Sequence, residues 1–337
     1  MSPRTERNEI AFLCVVILVF VPRLCCAMDN TSNQISNLST EDCPLPLSHG
    51  VALITVNSIV GMFGTLGNLL VCVVVATNPR LRRASNFLLF SLAIADLIVT
   101  MMCEPVFVAY LGKRTFFNDC ATNLNQAFII LTRLSCTASV VHMAAISVDR
   151  FIAVVYPLRY KSIINSSGLK ILLITSWALP ITVAISNIVI PANFHQAKAF
   201  LGLGVFGTSY LTVFLFYSLI VISLVKRRKE KKKLRMHSSN NTSQQSVEIR
   251  VAFTLAVVIV VFTASWAPLV STLFAAGKPM VEILGVAHLW IGTLALSNSA
   301  MNFVIYGSRM RNFRQAYAVY GRKLLDVLRP KCILERK

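Results

Sequence analysis

Residues 144–160 read AAISVDRFIAVVYPLRY and place two charged residues, Asp149 and Arg150, at the end of an apolar run. A charged side chain in the hydrocarbon of a membrane costs about 2.5–3.5 kcal/mol on insertion scales. Such a pair therefore needs either contact with water or a specific function. The stretch predicts a membrane helix with a charged pair near one of its ends.

The composition of the whole chain is that of a membrane protein. Of its 337 residues, 55% are hydrophobic and 14% are charged, whereas soluble domains carry about 25% charged residues. The net charge of +19 fits anionic membrane lipid as a partner. Nucleic acid is disfavoured, because the basic residues lie between apolar runs and not on one face interleaved with aromatic residues.

Seven apolar runs are each long enough to cross a bilayer as a helix with its backbone hydrogen bonds satisfied internally. They cover residues 51–76, 87–110, 124–156, 169–190, 201–225, 251–276 and 281–306. The predicted fold class is an all-α membrane protein. It consists of a seven-transmembrane helix bundle over 51–306 and a short amphipathic helix after the seventh span, within a tail of residues 307–337.

The distribution of basic residues predicts the topology. The loops after the first, third and fifth spans are basic, and the segment KRRKEKKKLR at 226–235 has eight basic residues in ten. The positive-inside rule places these loops and the tail in the cytoplasm and the N-terminus outside the plasma membrane. The basic part of the third cytoplasmic loop, about 226–250, is predicted to lie near anionic lipid.

The N-terminal region is predicted to be a signal peptide followed by an extracellular segment. The apolar run at 10–21 is too short to span a membrane and follows a basic start, which is typical of a signal peptide over 1–27. An uncleaved anchor is the alternative. Residues 28–50 would then be extracellular, and Asn30 and Asn37 in this segment lie in glycosylation sequons.

Three cysteines have distinct expected fates. Cys43 and Cys120 fall on the extracellular side, where the compartment is oxidising, so they form either one disulfide or two free thiols. Cys332 follows the amphipathic stretch and is a candidate for palmitoylation, whereas prenylation is excluded because five residues follow it.

Polar residues within the spans indicate a hard-cation site or a hydrogen-bonded helix interface. One carboxylate lies in the middle of the second span, and hydroxyl and amide oxygens lie in the third and seventh spans; the candidates are Asp96, Ser139, Asn298, Ser299 and Asn302. These are ligands that suit an ion such as sodium, and no other cofactor is implied. The alternative is that they only join helices. Neither HExxH nor GxSxG occurs, and no internal repeat indicates a transporter. An enzyme is therefore not expected.

Motifs on nearly every span resemble those of the rhodopsin-like (class A) G-protein-coupled receptors over residues 51–320. In chain order they are GNLLV with Asn68, LAIAD with Asp96, DRF with Asp149 and Arg150, Trp177, Tyr217, FTASWAP with Phe262, Trp266 and Pro268, NFVIY with Asn302 and Tyr306, and Phe313. The resemblance implies a receptor that binds an extracellular ligand in the outer half of the bundle. It would activate a heterotrimeric G protein by outward movement of the sixth helix. A binding protein, decoy or heteromer subunit with little or no G-protein signalling is the alternative.

The resemblance also implies roles for single residues. Arg150 would pair with Asp149 and, in the inactive state, with Glu248 at the start of the sixth helix. Residues of the G-protein coupling region and inactive-state lock would be Asp149, Arg150, Glu248, Tyr217 and Tyr306. The activation switch would comprise Phe262, Trp266, Pro268 and Asn302.

The chain departs from the family pattern at several positions. Phe303 replaces the usual proline of the seventh helix, so its kink must be weaker or have another origin. Ser209 replaces the proline of the fifth helix, and Asn125 stands where the extracellular cysteine of the third helix belongs. These features weakly resemble the melanocortin, cannabinoid and lysophospholipid receptors and leave the subfamily unassigned.

Ionisable and polar residues in the outer half are the candidate ligand contacts: Glu104, Thr132, Arg133 and His288. Thr132 occupies the position of the aspartate of amine receptors, and Leu296 that of the retinal lysine of opsins, so neither ligand class is expected. The guanidinium of Arg133 suits a carboxylate or phosphate on the ligand. The alternative is an Arg133–Glu104 pair that only closes the bundle.

The sequence predicts that arrestin binds the third cytoplasmic loop, if it binds at all. After Tyr306 the only serine or threonine is Ser308, whereas the loop carries Ser238, Ser239, Thr242, Ser243 and Ser246. Each phosphate there would add about −1.5 to −2 charge. A plain linker is the alternative.

Overall fold

The computed structural model describes residues 44–81, 84–191, 194–233, 242–274 and 285–328. The predicted signal peptide, both sequons, Cys43 and Cys332 lie outside these residues. The backbone of Glu248 is described, but its side chain is not.

The described residues form eight helices that follow the predicted order. They are α1 (Leu47–Thr77), α2 (Ala84–Ile98, a π-helical turn Val99–Cys103 and Glu104–Phe116), α3 (Thr122–Val155), α4 (Ser166–Val189), α5 (His195–Lys233), α6 (Thr242–Phe274), α7 (Val286–Ser297, a 3₁₀ turn Asn298–Ala300 and Asn302–Arg309) and α8 (Arg311–Leu328). Pro79–Leu81 and Tyr160–Ile163 form single helical turns in the α1–α2 and α3–α4 connections. The predicted all-α class is confirmed, and α2 and α5 extend several residues beyond the predicted apolar runs.

Helices α1–α5 are each long and apolar enough to cross a membrane. The apolar described part of α6 is shorter, Phe253–Leu269, and α7 is divided by its 3₁₀ turn. The outward faces of these helices carry exposed large apolar side chains, such as Met62, Leu66 and Phe214. Such a surface suits contact with lipid and would be an aggregation hazard in water.

Helix α3 is the centre of the bundle, because it packs against α2, α4, α5 and α6. Its residues from Ser135 to Val154 are almost continuously buried. A helix that is buried on all sides needs no wide polar face. The charged pair Asp149–Arg150 therefore lies inside the protein and not on its surface.

The π-helical turn in α2 has a local cause in the sequence. Pro105 has no backbone N–H and cannot donate to the carbonyl four residues earlier. The helix accommodates it with one wider turn, in which the N–H of Glu104 bonds to the carbonyl of Val99, five residues back. Such turns insert one residue into a helix and change the direction of the side chains that follow.

Helix α7 is interrupted without the proline that Phe303 replaces. The helix tightens to a 3₁₀ turn at Asn298–Ala300, where the N–H of Met301 bonds to the carbonyl of Asn298 at 3.0 Å. The ring of Phe303 lies against Gly67 of α1 and stacks edge-on to Phe63, with centroids 5.0 Å apart. A methyl group at Gly67 would overlap this ring. The glycine of GNLLV is therefore required by the close approach of α1 and α7.

Helix α8 is the predicted amphipathic helix after the seventh span. Its buried Phe313 packs on Tyr306 of α7, with ring centroids 5.8 Å apart, and on Tyr317 at 6.0 Å. Tyr320 reaches α1, where its hydroxyl bonds to that of Thr77. The apolar face of α8 is thus docked under the ends of α1 and α7.

The C-terminal end of α2 leads into a short loop with local contacts of its own. Asp119 accepts a hydrogen bond from the N–H of Ala121 at 2.9 Å and pairs with Lys113 at 3.4 Å. The Ala121 bond and the Lys113 contact lower the pKa of the Asp119 carboxyl. Cys120, which lies between Asp119 and Ala121 in the sequence, is disulfide-bonded. The N–H of Leu45 donates to the backbone carbonyl of Arg114 at 3.3 Å, so the chain just after Cys43 runs beside the end of α2 and this loop. Cys43 as the partner of Cys120 stays a prediction.

Candidate functional site

The charged pair near the C-terminal end of α3 is compensated inside the protein. The Nε of Arg150 donates to Oδ2 of Asp149 at 2.8 Å, and its Nη2 bonds to the same oxygen. The side chains are 3% and 0% exposed. A buried charge of this kind is tolerated only with a charged or hydrogen-bonded partner. Asp149 supplies that partner.

Tyr160 is a member of this cluster that sequence reasoning missed. Its hydroxyl donates to Oδ1 of Asp149 at 2.7 Å from the single turn Tyr160–Ile163 in the second cytoplasmic connection. Both oxygens of the Asp149 carboxylate are thereby bonded. The tyrosine lies 11 residues after Asp149, beyond the end of α3 at Val155, so the periodicity of that helix could not have indicated the contact.

A second missed residue is Arg227, near the C-terminal end of α5. Its guanidinium donates to the carbonyls of Val154 at 2.9 Å and Val155 at 3.0 Å. The last carbonyls of a helix have no intrahelical partner, and a cation there also suits the helix dipole. In the sequence this arginine belongs to the basic run predicted to lie near lipid. The structure gives it a contact that ties α5 to the end of α3.

Tyr217 of α5 and Tyr306 of α7 line one cavity. Its other walls are Leu92, Met143, Ile146, Leu255, Val258 and Ile259. Neither tyrosine hydroxyl has a hydrogen-bond partner among the described residues. A buried hydroxyl without a partner costs about 1–3 kcal/mol. An arrangement that gives both hydroxyls a partner would therefore be favoured.

The expected switch residues of α6 form a compact aromatic group. Phe262 and Trp266 are buried, with ring centroids 5.8 Å apart. Pro268 lies inside the same helix, two residues later. Because proline removes a helical hydrogen bond and strains the preceding turn, α6 can bend in the turn before Pro268.

The expected cation site is centred on Asp96, which is fully buried. Its Oδ2 accepts a hydrogen bond from Asn302 of α7 at 2.7 Å. The Oδ1 atoms of Asp96, Asn298 and Asn302 have no partner among the described residues. Ser139 and Ser299 are also buried, and the backbone carbonyl of Ser299 accepts from Asn68 at 2.9 Å.

These unpartnered oxygens fit a hard monovalent cation. One carboxylate with amide and hydroxyl oxygens is the ligand chemistry of such an ion. Within the described ranges no group of three or more His, Cys, Asp or Glu side chains forms a transition-metal site. When bound, sodium would supply the positive charge that the buried Asp96 carboxylate lacks.

A buried hydrogen-bonded chain joins α2, α3 and α4, and sequence reasoning missed its central residue, His142. Trp177 Nε1 donates to Ser91 Oγ at 2.9 Å, and Ser91 Oγ lies 2.9 Å from His142 Nε2. His142 Nδ1 lies 2.7 Å from the carbonyl of Ala138. A carbonyl only accepts, so Nδ1 carries a proton and Nε2 accepts from Ser91. The chain is satisfied with a neutral histidine and serves packing.

The four candidate ligand residues do not form one cluster. Glu104 is 1% exposed and points inward from α2. Thr132 of α3 lies next to α2, with its hydroxyl 3.4 Å from the sulfur of Cys103. His288 is half-buried on α7, and its Nδ1 has no partner among the described residues.

Arg133 is directed to the other side of the bundle, toward α4. It bonds to the side-chain oxygen of Asn187. Lys198 at the start of α5 donates to the backbone carbonyl of the same Asn187 at 2.9 Å. Partial burial and the charge of Arg133 lower the pKa of Lys198. In the described part of the chain no ion pair joins Arg133 to Glu104. The alternative of a closing pair stays a prediction.

Comparison with known proteins agrees with the geometry. A family model described as "7 transmembrane receptor (rhodopsin family)" matches residues 67–306. The chain is 29% identical over 281 residues to the allatostatin-A receptor of Bombyx mori, which covers 77% of this chain and 76% of that receptor. It is 25% identical over 312 residues to the adenosine receptor A2b of Gallus gallus, with 81% and 88% covered.

Solved structures show the same fold. Squid rhodopsin superposes with a TM-score of 0.72 at 19% sequence identity, over 84% of this chain and 88% of that one. At this identity the likeness concerns the arrangement of helices alone.

Proposed function

Because the chain belongs to the rhodopsin family of seven-transmembrane receptors, we propose that it binds an extracellular ligand at the plasma membrane and activates a heterotrimeric G protein. The family consists of receptors, so the protein is not an enzyme, as the sequence predicts. The membrane is crossed several times by apolar helices. The N-terminal segment 28–50 is extracellular in this proposal, and the tail 307–337 is cytoplasmic.

The observation that carries the proposal is the buried Asp149–Arg150 pair with its Tyr160 contact. A guanidinium held in this way at the cytoplasmic end of the central helix is available to a G protein only after its local contacts change. Contacts worth about 1–3 kcal/mol are enough to shift a two-state population several-fold or more. Glu248 adds a second acidic partner in the inactive state.

Movement of α6 connects the outer pocket to this pair. Ligand contact displaces Trp266 and Phe262, and α6 swings its cytoplasmic end outward about Pro268. The cavity between Tyr217 and Tyr306 then opens, and their hydroxyls gain water or each other as partners. The hydrogen bond from Asn302 to Asp96 couples this movement of α7 to α2.

The outer pocket determines the class of ligand. Arg133 and Lys198 place two positive charges beside Asn187 at the outer ends of α3, α4 and α5. Two cations so close favour an anionic group, a carboxylate or a phosphate, on the ligand. Glu104 of α2, Thr132 of α3 and His288 of α7 would contact other parts of the ligand.

Basal nucleotide exchange tests the proposal without knowledge of the ligand. The full-length receptor in lipid nanodiscs is mixed with each class of purified G protein, and GTP uptake is compared for the parent protein, Arg150→Ala and Arg322→Ala. We expect Arg150→Ala to lower exchange at least severalfold and Arg322→Ala, an exposed arginine of α8, to leave it unchanged. Equal exchange by all three proteins would contradict the proposal.

The second candidate is a seven-helix binding protein that does not activate a G protein. It is favoured by the replacement of two family prolines, at Phe303 and Ser209. The 3₁₀ turn of α7 weakens this argument, because it provides a bend without proline. Exchange at the level of empty nanodiscs for every G protein, by the parent and by Glu248→Ala, would favour this candidate.

A further inference from the structure

A group of buried oxygen atoms lies between α1 and α2, separate from the Asp96 site. Both carboxylate oxygens of Glu104, Oδ1 of Asn57 and Oγ1 of Thr100 have no hydrogen-bond partner among the described residues. The three side chains are 1%, 0% and 3% exposed. Buried polar atoms in proteins nearly always have a partner, so atoms like these call for one.

The packing of α1 on α2 places Glu104 against Gly61 and the methyl group of Thr100 against Gly64, about one turn further along α1. A methyl group at Gly61 of α1 would lie 3.3 Å from Cβ of Glu104 and 3.5 Å from the carbonyl oxygen of Thr100. Asn57 is one helical turn before Gly61, and Thr100 is one turn before Glu104. Gly61 therefore leaves room for the Glu104 side chain beside α1.

Helix α7 closes the third side of the group. Asn57 Nδ2 donates to Oγ1 of Thr293 at 3.0 Å and to the carbonyl of Leu53 at 2.7 Å. Both amide hydrogens of Asn57 are thereby used. Its Oδ1 can only accept.

The π-helical turn gives Glu104 its inward direction. Glu104 lies eight residues after Asp96, which in a regular helix would place it about 80° around from the Asp96 face at about 100° per residue. One inserted residue makes the advance equivalent to seven positions and brings Glu104 within about 20° of that face. The two carboxylates are then on one side of α2, about 10.5 Å apart along the helix for seven positions at about 1.5 Å per residue.

The chemistry of the group is that of a cation site. A carboxylate that is ionised in a membrane interior needs a partner of opposite charge or a strong donor. Arg133, the nearby cation expected from the sequence, bonds instead to Asn187. We propose that Glu104, Asn57 and Thr100 bind a small monovalent cationic group, either a sodium ion or the ammonium group of a ligand, at a site distinct from Asp96.

The inference rests on the proposed function only in that Glu104 belongs to the outer pocket. Its test reads protein stability in the absence of G protein, so failure of G-protein activation would not affect the result. The Asp96→Asn variant removes the other candidate cation site. Thermal unfolding of this purified full-length variant is measured while choline chloride is replaced by sodium chloride or by methylammonium chloride at constant ionic strength.

We expect the melting temperature of Asp96→Asn to rise with one of these cations and the rise to disappear in Asp96→Asn/Glu104→Gln. Asp96→Asn/Asp119→Asn is the matched control, because it removes one exposed carboxylate of the extracellular loop and should keep the rise. A rise with sodium identifies an ion site, and a rise with methylammonium alone identifies a subsite for a ligand ammonium group.

The proposal is overturned if neither cation raises the melting temperature of Asp96→Asn, or if the rise persists unchanged after Glu104→Gln. Asn57→Leu provides a second variant with a similar volume and no Oδ1. It should lose the rise as well, so a folding defect of one variant does not decide the outcome.

Discussion

The guanidinium of Arg227 on α5 donates a hydrogen bond of 2.9 Å to the carbonyl oxygen of Val154, in the last turn of α3. A second bond, 3.0 Å long, reaches the carbonyl of Val155. These contacts join the cytoplasmic ends of two helices four residues after Arg150. They hold α5 in the arrangement in which Arg150 is paired with Asp149.

We therefore expect Arg227→Gln to raise basal nucleotide exchange severalfold and to lower the melting temperature of the ligand-free receptor. Hydrogen bonds from a charged group contribute about 1.5–3 kcal/mol. Lys226→Gln is the control, because it removes the same charge from an adjacent exposed residue. Equal effects of the two substitutions would indicate that only the charge of the basic run matters.

Glu248→Ala should raise basal signalling, because it removes the second acidic partner of Arg150 in the inactive state. Glu248 precedes Trp266 by 18 residues, which is about five turns of helix, so both lie on one face of α6. The measurement is basal G-protein activation in cells at matched surface expression, with Glu230→Ala as the control. Activation at or below the parent level would argue against this lock.

Gly67→Ala should destabilise the receptor by about 1–3 kcal/mol, the usual cost of overpacking a core. The added methyl group would overlap the ring of Phe303. Thermal unfolding should show a partial recovery when Phe303→Leu is combined with it. Gly207→Ala on α5 is a matched control, because a methyl group there would contact nothing within 4 Å. A melting temperature of Gly67→Ala equal to that of the control would show that α1 and α7 are more widely separated.

Ser91→Ala should lower the stability by about 1–3 kcal/mol, because it leaves Trp177 Nε1 and His142 Nε2 buried without their partner. Thr182→Ala removes an exposed hydroxyl that bonds only to the carbonyl of Ala178, and its effect should be small. Melting temperatures of the two purified variants provide the comparison. A similar small change in both would mean that water replaces the Ser91 hydroxyl.

Any arrestin recruitment should depend on the third cytoplasmic loop. Replacement by alanine of its five hydroxyl residues, Ser238, Ser239, Thr242, Ser243 and Ser246, should abolish recruitment, because it removes the phosphate acceptors. Truncation after Leu328 keeps α8 whole and should have no effect. An arrestin-proximity assay in cells measures both. Recruitment that survives the alanine substitutions, or that is lost on truncation, would contradict the prediction.

The sequence by itself determined the helical class, the order of the spans and the residues of the charged pair. Apolar runs and basic loops are local features of the sequence. The length of a run relative to the hydrocarbon thickness predicts a span, and the charge of the loops predicts the topology, without knowledge of which residues contact each other. The sequence also contains Pro105 directly after Glu104. Helix periodicity alone would still have directed Glu104 away from the Asp96 face.

Only the tertiary structure decided which polar groups meet. Arg227 and Val154 are 73 residues apart, and Asn57 and Thr293 are 236 apart. It also separated Arg133 from Glu104, which the sequence allowed to pair. Contacts of this kind depend on the close approach of helices at residues such as Gly61 and Gly67, and on the residue inserted by the π-helical turn. Each residue inserted by such a turn rotates the following side chains by about 100° around the helix axis. A small local irregularity therefore decides which residues share a site.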